Sequence, residues 1–336
     1  MTEQSWLTSA PSDAQAELGS NLSAAFVRST AGAAVHAEPI ALHRKATSTQ
    51  ALVLVAVSCL RQIAQNQKGV REGFGDAVHQ MRIGVRRLRA AISIFRDVFR
   101  PGAFDGLNGE LVWLTEQLAA VRECDVLIAS KRNFEDFTRS AFAGECELAD
   151  VLARRRQEAF AVARSAVESA RFHRIILSLT LGLILPADED GAGDRLVRDL
   201  GREVLERRTR KVLRRLARFN RLGLRERHQL RIQVKKLRYG TQFFATLFPN
   251  TKRSCKRFGR ALAELQDTLG RLNDTTVHRR IASDLVDGGT SEARASRRVA
   301  FAMGAFTEAE KAEVPELTAR VGKLAERLAR APRFWR

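Results

Sequence analysis

Two segments of the sequence place histidine and arginine side chains at intervals that would bring them together on a helix. In the first segment His79, Arg82, Arg86 and Arg89 are three or four residues apart. Three or four residues make about one turn of an α-helix, so these side chains would share one side of it. A guanidinium group can bond two oxygens at once, and an imidazole beside it becomes protonated near pH 6.5. This set of groups favours the binding of phosphate.

The second segment repeats the first at a distance of 149 residues. The eleven residues from His79 (HQMRIGVRRLR) reappear from His228 (HQLRIQVKKLR) with seven identities, and three of the four differences exchange similar side chains. The same shift relates four further pairs: Phe95 with Phe244, Phe99 with Phe248, Arg122 with Arg271, and Asp125 with Asp274. Because one register holds from His79 to Asp125, we interpret the chain as an internal duplication.

The second copy predicts a stripe of its own, with more cations before it. The stripe consists of His228, Arg231, Lys235 and Arg238. The preceding segment adds a set of basic residues spaced mainly by three or four: Arg207, Arg210, Lys211 and Arg214. Between residues 201 and 238 there are 15 basic residues and three acidic ones, and the whole chain has a net charge of +19. Closely packed like charges cost several kcal/mol without a counter-charge, so we expect an external polyanion to bind here.

Apolar residues flank the predicted stripes. On the first helix one face carries Met81, Val85, Leu88, Ile92, Phe95 and Phe99, and a second strip carries Ile83, Ala90 and Ile94. In the second copy the apolar face carries Leu230, Val234, Leu237, Phe244 and Phe248. A solvated cationic face would have polar flanks, so we expect each stripe to be wedged between neighbouring helices.

Apolar residues recur at helical spacing from about residue 48 onward, which predicts an all-α fold. The predicted helices span about 48–66, 76–99, 104–134, 145–180, 192–220, 225–247, 252–285 and 290–331. Residues 1–40 are rich in Ala, Ser and Thr and predict a disordered tail. The helical domain, 41–336, would comprise a first half of about 41–186 and a second half of about 192–336, joined by the acidic segment Leu185–Gly193.

Composition sets further expectations. Four scattered cysteines without a CxxC pair favour reduced thiols in a cytoplasmic protein. The apolar stretch Ile175–Pro186 is shorter than the roughly 20 residues that cross a bilayer, so we expect no membrane span.

The duplicated HQ[ML]R segment, LAAVRECDV (118–126), LGRLND (269–274) and PRFW (332–335) together resemble the CHAD family of histidine-containing α-helical domains. The resemblance implies two four-helix bundles related by pseudo-twofold symmetry around a basic central pore or groove. It also implies binding of inorganic polyphosphate without a catalytic reaction, and an association with polyphosphate granules in some members. The ligand-facing positions carried over by motif are His79, Arg82, Arg86, Arg89, His228, Arg231, Lys235 and Arg238.

Other functions are weighed against this one. Positions three and four residues after His79 and His228 hold Arg or Ile, which do not ligate metals, so we expect neither a metal nor a cofactor. A nucleic-acid-binding basic helical protein is the alternative, with nucleic acid otherwise a weaker competitor for the same surface. A phosphate-transferring or hydrolysing enzyme is less favoured, because the stripes supply no metal-binding carboxylates. Asp125 and Asp274 are expected to orient an arginine of their own helix or of a neighbouring one.

Overall fold

In a computed structural model, which describes residues 34–96, 105–138, 145–184, 195–287 and 297–336, the protein is all α-helical as predicted. The helices are α1 (Ser48–Gln65), α2 (Gln67–Arg71), α3 (Gly75–Ile94), α4 (Asp105–Gln117), α5 (Ala119–Thr138), α6 (Glu145–Glu168), α7 (Ala170–Ile184), α8 (Val197–Leu216), α9 (Leu224–Phe244), α10 (Lys252–Asp287), α11 (Arg297–Ala312) and α12 (Val314–Arg330). Short 3-10 turns follow α8 and α9. Most of the predicted tail and the whole predicted joint, Leu185–Gly193, lie outside the described residues.

Three of the predicted long helices are each divided into two. The chain leaves the helix at Leu118, at Ser169 and at Glu313. At the second break the Ser169 hydroxyl accepts a hydrogen bond from the Phe172 backbone N–H at 3.1 Å, which caps the start of α7. At the third break Pro315 lies in the first turn of α12, where its missing N–H costs nothing. Apolar spacing continues across all three breaks, which explains why periodicity alone did not predict them.

The helices form two compact units. The first comprises residues up to Ala119 together with Phe160–Leu200, and the second comprises Ala120–Ala159 together with Gly201–Arg336. The predicted halves describe the sequence repeat, whereas packing divides the chain differently, because residues 120–159 belong to the second unit.

The first unit is built around the contact between α1 and α3. Their backbones come close at Gly84, where an added Cβ would lie 2.9 Å from Ile63 Cγ1 and 3.3 Å from the Cys59 carbonyl oxygen. A capping box begins α1, since Thr47 accepts a hydrogen bond from the Gln50 backbone and Gln50 accepts one from Thr47. This contact fixes the helix that carries the first stripe.

The second unit has its core where α5, α6, α10 and α11 meet. Five buried apolar side chains form a cluster there: Leu127, Leu152, Ile281, Met303 and Phe306. The end of the chain adds Phe334 and Trp335, which pack edge-on against each other and against Phe258. These contacts hold α10, the helix beside the second stripe.

The 149-residue spacing recurs in the structure. Helices α3 and α9 begin 149 residues apart, and α5 and α10 end 149 residues apart. Near the start of α1 the Ser48 N–H donates to the Arg195 carbonyl at 2.9 Å, and the Val197 N–H donates to the Ala46 carbonyl at 3.0 Å. The two bonds enclose an antiparallel bridge between Thr47 and Leu196, which are themselves 149 residues apart. This pattern supports the predicted duplication.

Candidate anion-binding site

The first stripe, His79, Arg82, Arg86 and Arg89, lies on α3 in the first unit. All four side chains are half-buried. Most of the apolar residues predicted to flank them are buried: Met81, Val85, Leu88, Ala90, Ile94 and Phe95. Ile83 and Ile92 are half-buried, and Phe99 lies outside the described residues. The stripe therefore has packed flanks, as expected, and is not a solvated face.

Neutral oxygens on α4 orient two arginines of the first stripe. Arg82 Nη1 donates to the Thr115 carbonyl at 2.8 Å, and Arg89 Nε donates to Asn108 Oδ1 at 3.2 Å. Burial lowers the pKa of the Arg89 guanidinium, and the charge of Glu116 opposes that shift. Because the two acceptors are neutral, they fix the guanidinium groups without cancelling their charge.

The second stripe, His228, Arg231, Lys235 and Arg238, lies on α9 in the second unit. Its histidine is exposed, and the other three side chains are half-buried. His228 Nδ1 lies 3.4 Å from Asn273 Oδ1 on α10. The predicted apolar face behind this stripe is buried: Leu230, Val234, Leu237, Phe244 and Phe248.

The two repeated aspartates have different partners. Asp125 accepts a hydrogen bond from Arg156 Nε on α6 at 2.6 Å, which confirms the expected role of orienting an arginine of a neighbouring helix. Burial raises the pKa of the Asp274 carboxyl, and the nearby charges of Arg231, His278 and Lys235 oppose the shift. Asp274 is therefore an acid close to the second stripe, which charge counting along the local sequence did not include.

The four cations predicted on α8 are exposed. Two of them pair with acids one turn earlier: Arg207 with Glu203 at 3.4 Å and Arg210 with Glu206 at 3.6 Å. The Arg207 pair is exposed on both sides and contributes about 0–1 kcal/mol, so a polyanion could replace the Glu203 carboxylate. Lys211 and Arg214 are also exposed, and the predicted apolar face opposite these cations is buried at Leu205, Val212 and Leu216.

A cavity of about 240 Å³ adjoins the second stripe within the second unit. Its lining includes His228, Arg231 and two arginines that sequence reasoning did not select, Arg227 and Arg279. The Arg227 guanidinium lies 4.8 Å from the Phe219 ring centroid, and its Nε donates to the Leu222 carbonyl at 3.0 Å. The 149-residue register could have singled out Arg227, since the equivalent position in the first copy holds an apolar valine and the second copy therefore has an additional cation there.

The described residues lack two further features. Across these ranges no three His, Cys, Asp or Glu side chains are grouped as a metal ion would require. None of the described helices is both long enough and apolar enough to cross a bilayer.

This helical architecture is similar to that of known proteins. A crystal structure of the CHAD domain from the plant Ricinus communis is similar, with 29% sequence identity, a TM-score of 0.75, and coverage of 90% of this chain and 99% of the other. PptA from Streptomyces chartreusis shares the fold at 18% identity, with a TM-score of 0.57 and coverage of 84% and 99%. No curated protein sequence matches. The family model described as the CHAD domain matches residues 55–283, which is more than half of the chain. With this match added to the duplicated stripes and the helical fold, the chain belongs to the CHAD domain family.

Proposed function

We propose that this protein binds inorganic polyphosphate without catalysis, through a cationic channel lined by its basic helices. The observation that carries the proposal is the pair of cationic stripes, half-buried except at His228 and each flanked by packed apolar residues. Partly desolvated cations attract an anion more strongly than solvated ones do, because the local dielectric constant is lower.

Family membership supports a polyanion as the ligand, because CHAD domains bind polyphosphate-like polyanions. The helical spacing of the stripes suits a linear ligand. Successive cations are three or four residues apart, about one helical turn, so a chain that carries one charge per phosphate can meet each of them in turn. A compact anion would contact part of one stripe.

The decisive experiment neutralises one arginine in each stripe with Arg82→Gln and Arg231→Gln. Glutamine removes the charge but keeps most of the aliphatic stem and a polar end, so helix packing should be kept. A charged hydrogen bond contributes about 1.5–3 kcal/mol, so we expect affinity for long-chain polyphosphate to fall by at least tenfold. The dependence of affinity on salt should also become shallower, because fewer counter-ions are released.

The matched control is Arg164→Gln with Arg320→Gln. These two arginines are exposed, and the pair removes the same charge, one from each unit. Near-normal binding is expected of this control, and circular dichroism should show unchanged helicity in both variants. If the stripe variant binds polyphosphate as tightly as the control does, the stripes are not the site.

Nucleic acid is the second ligand to test, because the net charge of +19 attracts any polyanion. We expect polyphosphate to displace single-stranded and double-stranded DNA at equal phosphate concentration. Preferential retention of DNA would reverse the assignment.

Incubation with polyphosphate and magnesium should release no phosphate, and release that disappears in the His79→Gln variant would identify an enzyme.

Cytoplasmic attachment to polyphosphate granules is the cellular form of this proposal. A fluorescently tagged copy should concentrate on granules in phosphate-loaded cells. The Arg82→Gln, Arg231→Gln variant should spread through the cytoplasm, and nucleoid staining would instead favour nucleic acid.

A further inference from the structure

The cavity of about 240 Å³ beside the second stripe has apolar walls as well as cationic ones. Phe219 and Leu269 in its lining are buried, and Leu272 and Val314 are half-buried. Leu224 also lines the cavity, although 70% of its surface is exposed. A polyphosphate chain has no apolar surface to place against these side chains, so binding of the chain does not account for this part of the cavity.

This cavity is more positive than the equivalent positions of the first copy. Three exchanges, written from the first copy to the second, each raise the charge by one: Val78 to Arg227, Ser130 to Arg279, and Glu123 to Leu272. His228 and Arg231, by contrast, belong to the repeated stripe. Asp274 lies near Arg231 and offsets part of its charge, so Arg227 and Arg279 supply most of the excess.

Arg227 is held in a fixed orientation by groups that leave its charge available. Its Nε donates to the Leu222 carbonyl at 3.0 Å, and its guanidinium lies 4.8 Å from the Phe219 ring centroid. Within the described ranges no carboxylate forms an ion pair with Arg227 or with Arg279, which is exposed on α10. An oriented guanidinium without a paired acid is a preformed contact for a phosphate group.

The size of the cavity suits a phosphate group with a small organic group attached. At roughly 30 Å³ for each water-sized group, the cavity holds about eight such groups, and a phosphate alone would fill about half of it. A ring or a short alkyl group in the remaining space would remove the apolar lining from water. Inorganic phosphate would leave that lining uncovered.

We propose that this cavity binds a phosphate monoester that carries an aromatic or apolar group, and that Arg227 and Arg279 contact its phosphate. His228 and Arg231 belong both to this cavity and to the second stripe, so the monoester competes with a polyphosphate chain for them. The competition rests on the proposed function, whereas binding of the monoester does not.

The test measures the binding of phenyl phosphate to the full chain by isothermal titration calorimetry. Inorganic phosphate lacks the ring and benzyl alcohol lacks the charge, so each should bind at least about tenfold more weakly than phenyl phosphate. Equal affinities for phenyl phosphate and inorganic phosphate would show that the apolar lining takes no part, and the inference would be overturned. Benzyl alcohol that binds as tightly as phenyl phosphate would overturn it as well.

The variant Arg227→Val with Arg279→Ser gives the cavity the residues of the first copy. Its affinity for phenyl phosphate should fall by at least about tenfold, because two charged hydrogen-bond donors are lost. The control, Arg320→Val with Lys323→Ser, removes the same charge from the exposed face of α12 and should bind phenyl phosphate normally. Equal losses in the two variants would mean that only net charge matters, and the cavity would be rejected. Arg279→Ser alone, at an exposed position, gives the same comparison if the double variant does not fold.

Competition separates this inference from the main proposal. Saturating phenyl phosphate should weaken polyphosphate binding to the original protein but not to the Arg227→Val, Arg279→Ser variant. Unchanged polyphosphate affinity in the original protein would overturn the shared use of His228 and Arg231. Binding of phenyl phosphate without binding of polyphosphate would reject the proposed function and keep the cavity, and the reverse result would reject the cavity and keep the function.

Discussion

Glu206 is the residue at which the end of the chain is fastened to α8. Trp335 Nε1 donates to its carboxylate at 3.2 Å, Arg336 Nη2 donates at 3.1 Å, and Arg333 donates to the same group. Burial disfavours the ionised form of this carboxyl, but the three hydrogen bonds outweigh it and lower the pKa of Glu206 to about 2. One acid therefore orders three side chains of the C-terminus.

The lowered pKa predicts how stability depends on pH. A carboxyl whose pKa falls on folding stabilises the native state above its ordinary pKa of 4.5, and this contribution is lost as pH falls from 4.5 towards 2. Glu206→Gln should therefore lower the free energy of unfolding by about 1–2 kcal/mol at pH 7. The difference from the original protein should shrink between pH 4.5 and pH 2.5, as measured by urea denaturation.

Glu158→Gln is the control for this prediction, because Glu158 is an exposed acid on α6. It should change stability by less than about 0.5 kcal/mol at every pH. A Glu206→Gln deficit that stays constant down to pH 2.5 would mean that packing, and not charge, fastens the C-terminus.

At the scale of elements, the approach of α1 to α3 depends on the absence of a side chain at Gly84. Alanine is the better helix former by about 1 kcal/mol, so propensity alone predicts that Gly84→Ala stabilises. The added methyl group would meet Ile63 Cγ1 at 2.9 Å, and overpacking of this kind costs about 1–3 kcal/mol. We expect a net loss of stability in urea denaturation.

Gly322→Ala on α12 tests propensity without the clash, because nothing lies within 4 Å of the position its Cβ would take. That variant should be more stable by about 0.5–1 kcal/mol. Equal stabilisation by both substitutions would show that α1 can move away from α3 without cost.

The periodicity of apolar residues predicts which face of a helix is buried, but not how the helix ends or which helix packs against it. The spacing of apolar residues predicted the stripes and their buried flanks, because both depend only on residue positions around a single helix. The break at Ser169 depends on a side-chain cap that apolar periodicity does not register, and the half-buried position of Arg208 depends on tertiary packing. A comparison of the two copies could have predicted the burial of Arg208, since the equivalent position in the first copy holds Cys59 on an apolar face.

At the scale of the whole molecule, the units of packing are not successive stretches of chain. The second unit takes residues 120–159 from before the predicted joint and the rest from after it. The apolar cluster of the second unit explains this division, because Leu127 and Leu152 come from residues 120–159 and the other three members come from after the joint: Ile281, Met303 and Phe306.

Separating the chain at the predicted joint should therefore break the second unit. A fragment of residues 192–336 expressed alone retains Ile281, Met303 and Phe306 without Leu127 and Leu152, so it exposes apolar surface. We expect less helix per residue than in the full chain, binding of a hydrophobic dye, and loss of a cooperative urea transition. Co-expression with residues 1–191 should restore all three, because it supplies the missing helices.

Leu152→Ala in the full chain examines the same contact without cutting it. Removing a buried leucine side chain costs about 2–5 kcal/mol, and Ile281→Ala should cost a similar amount. If the two side chains stabilise one cluster, the double variant should lose less than the sum of the single losses, because the second substitution enlarges a cavity that already exists. Strict additivity, together with a fragment 192–336 that unfolds as cooperatively as the full chain, would mean that each half of the sequence folds by itself.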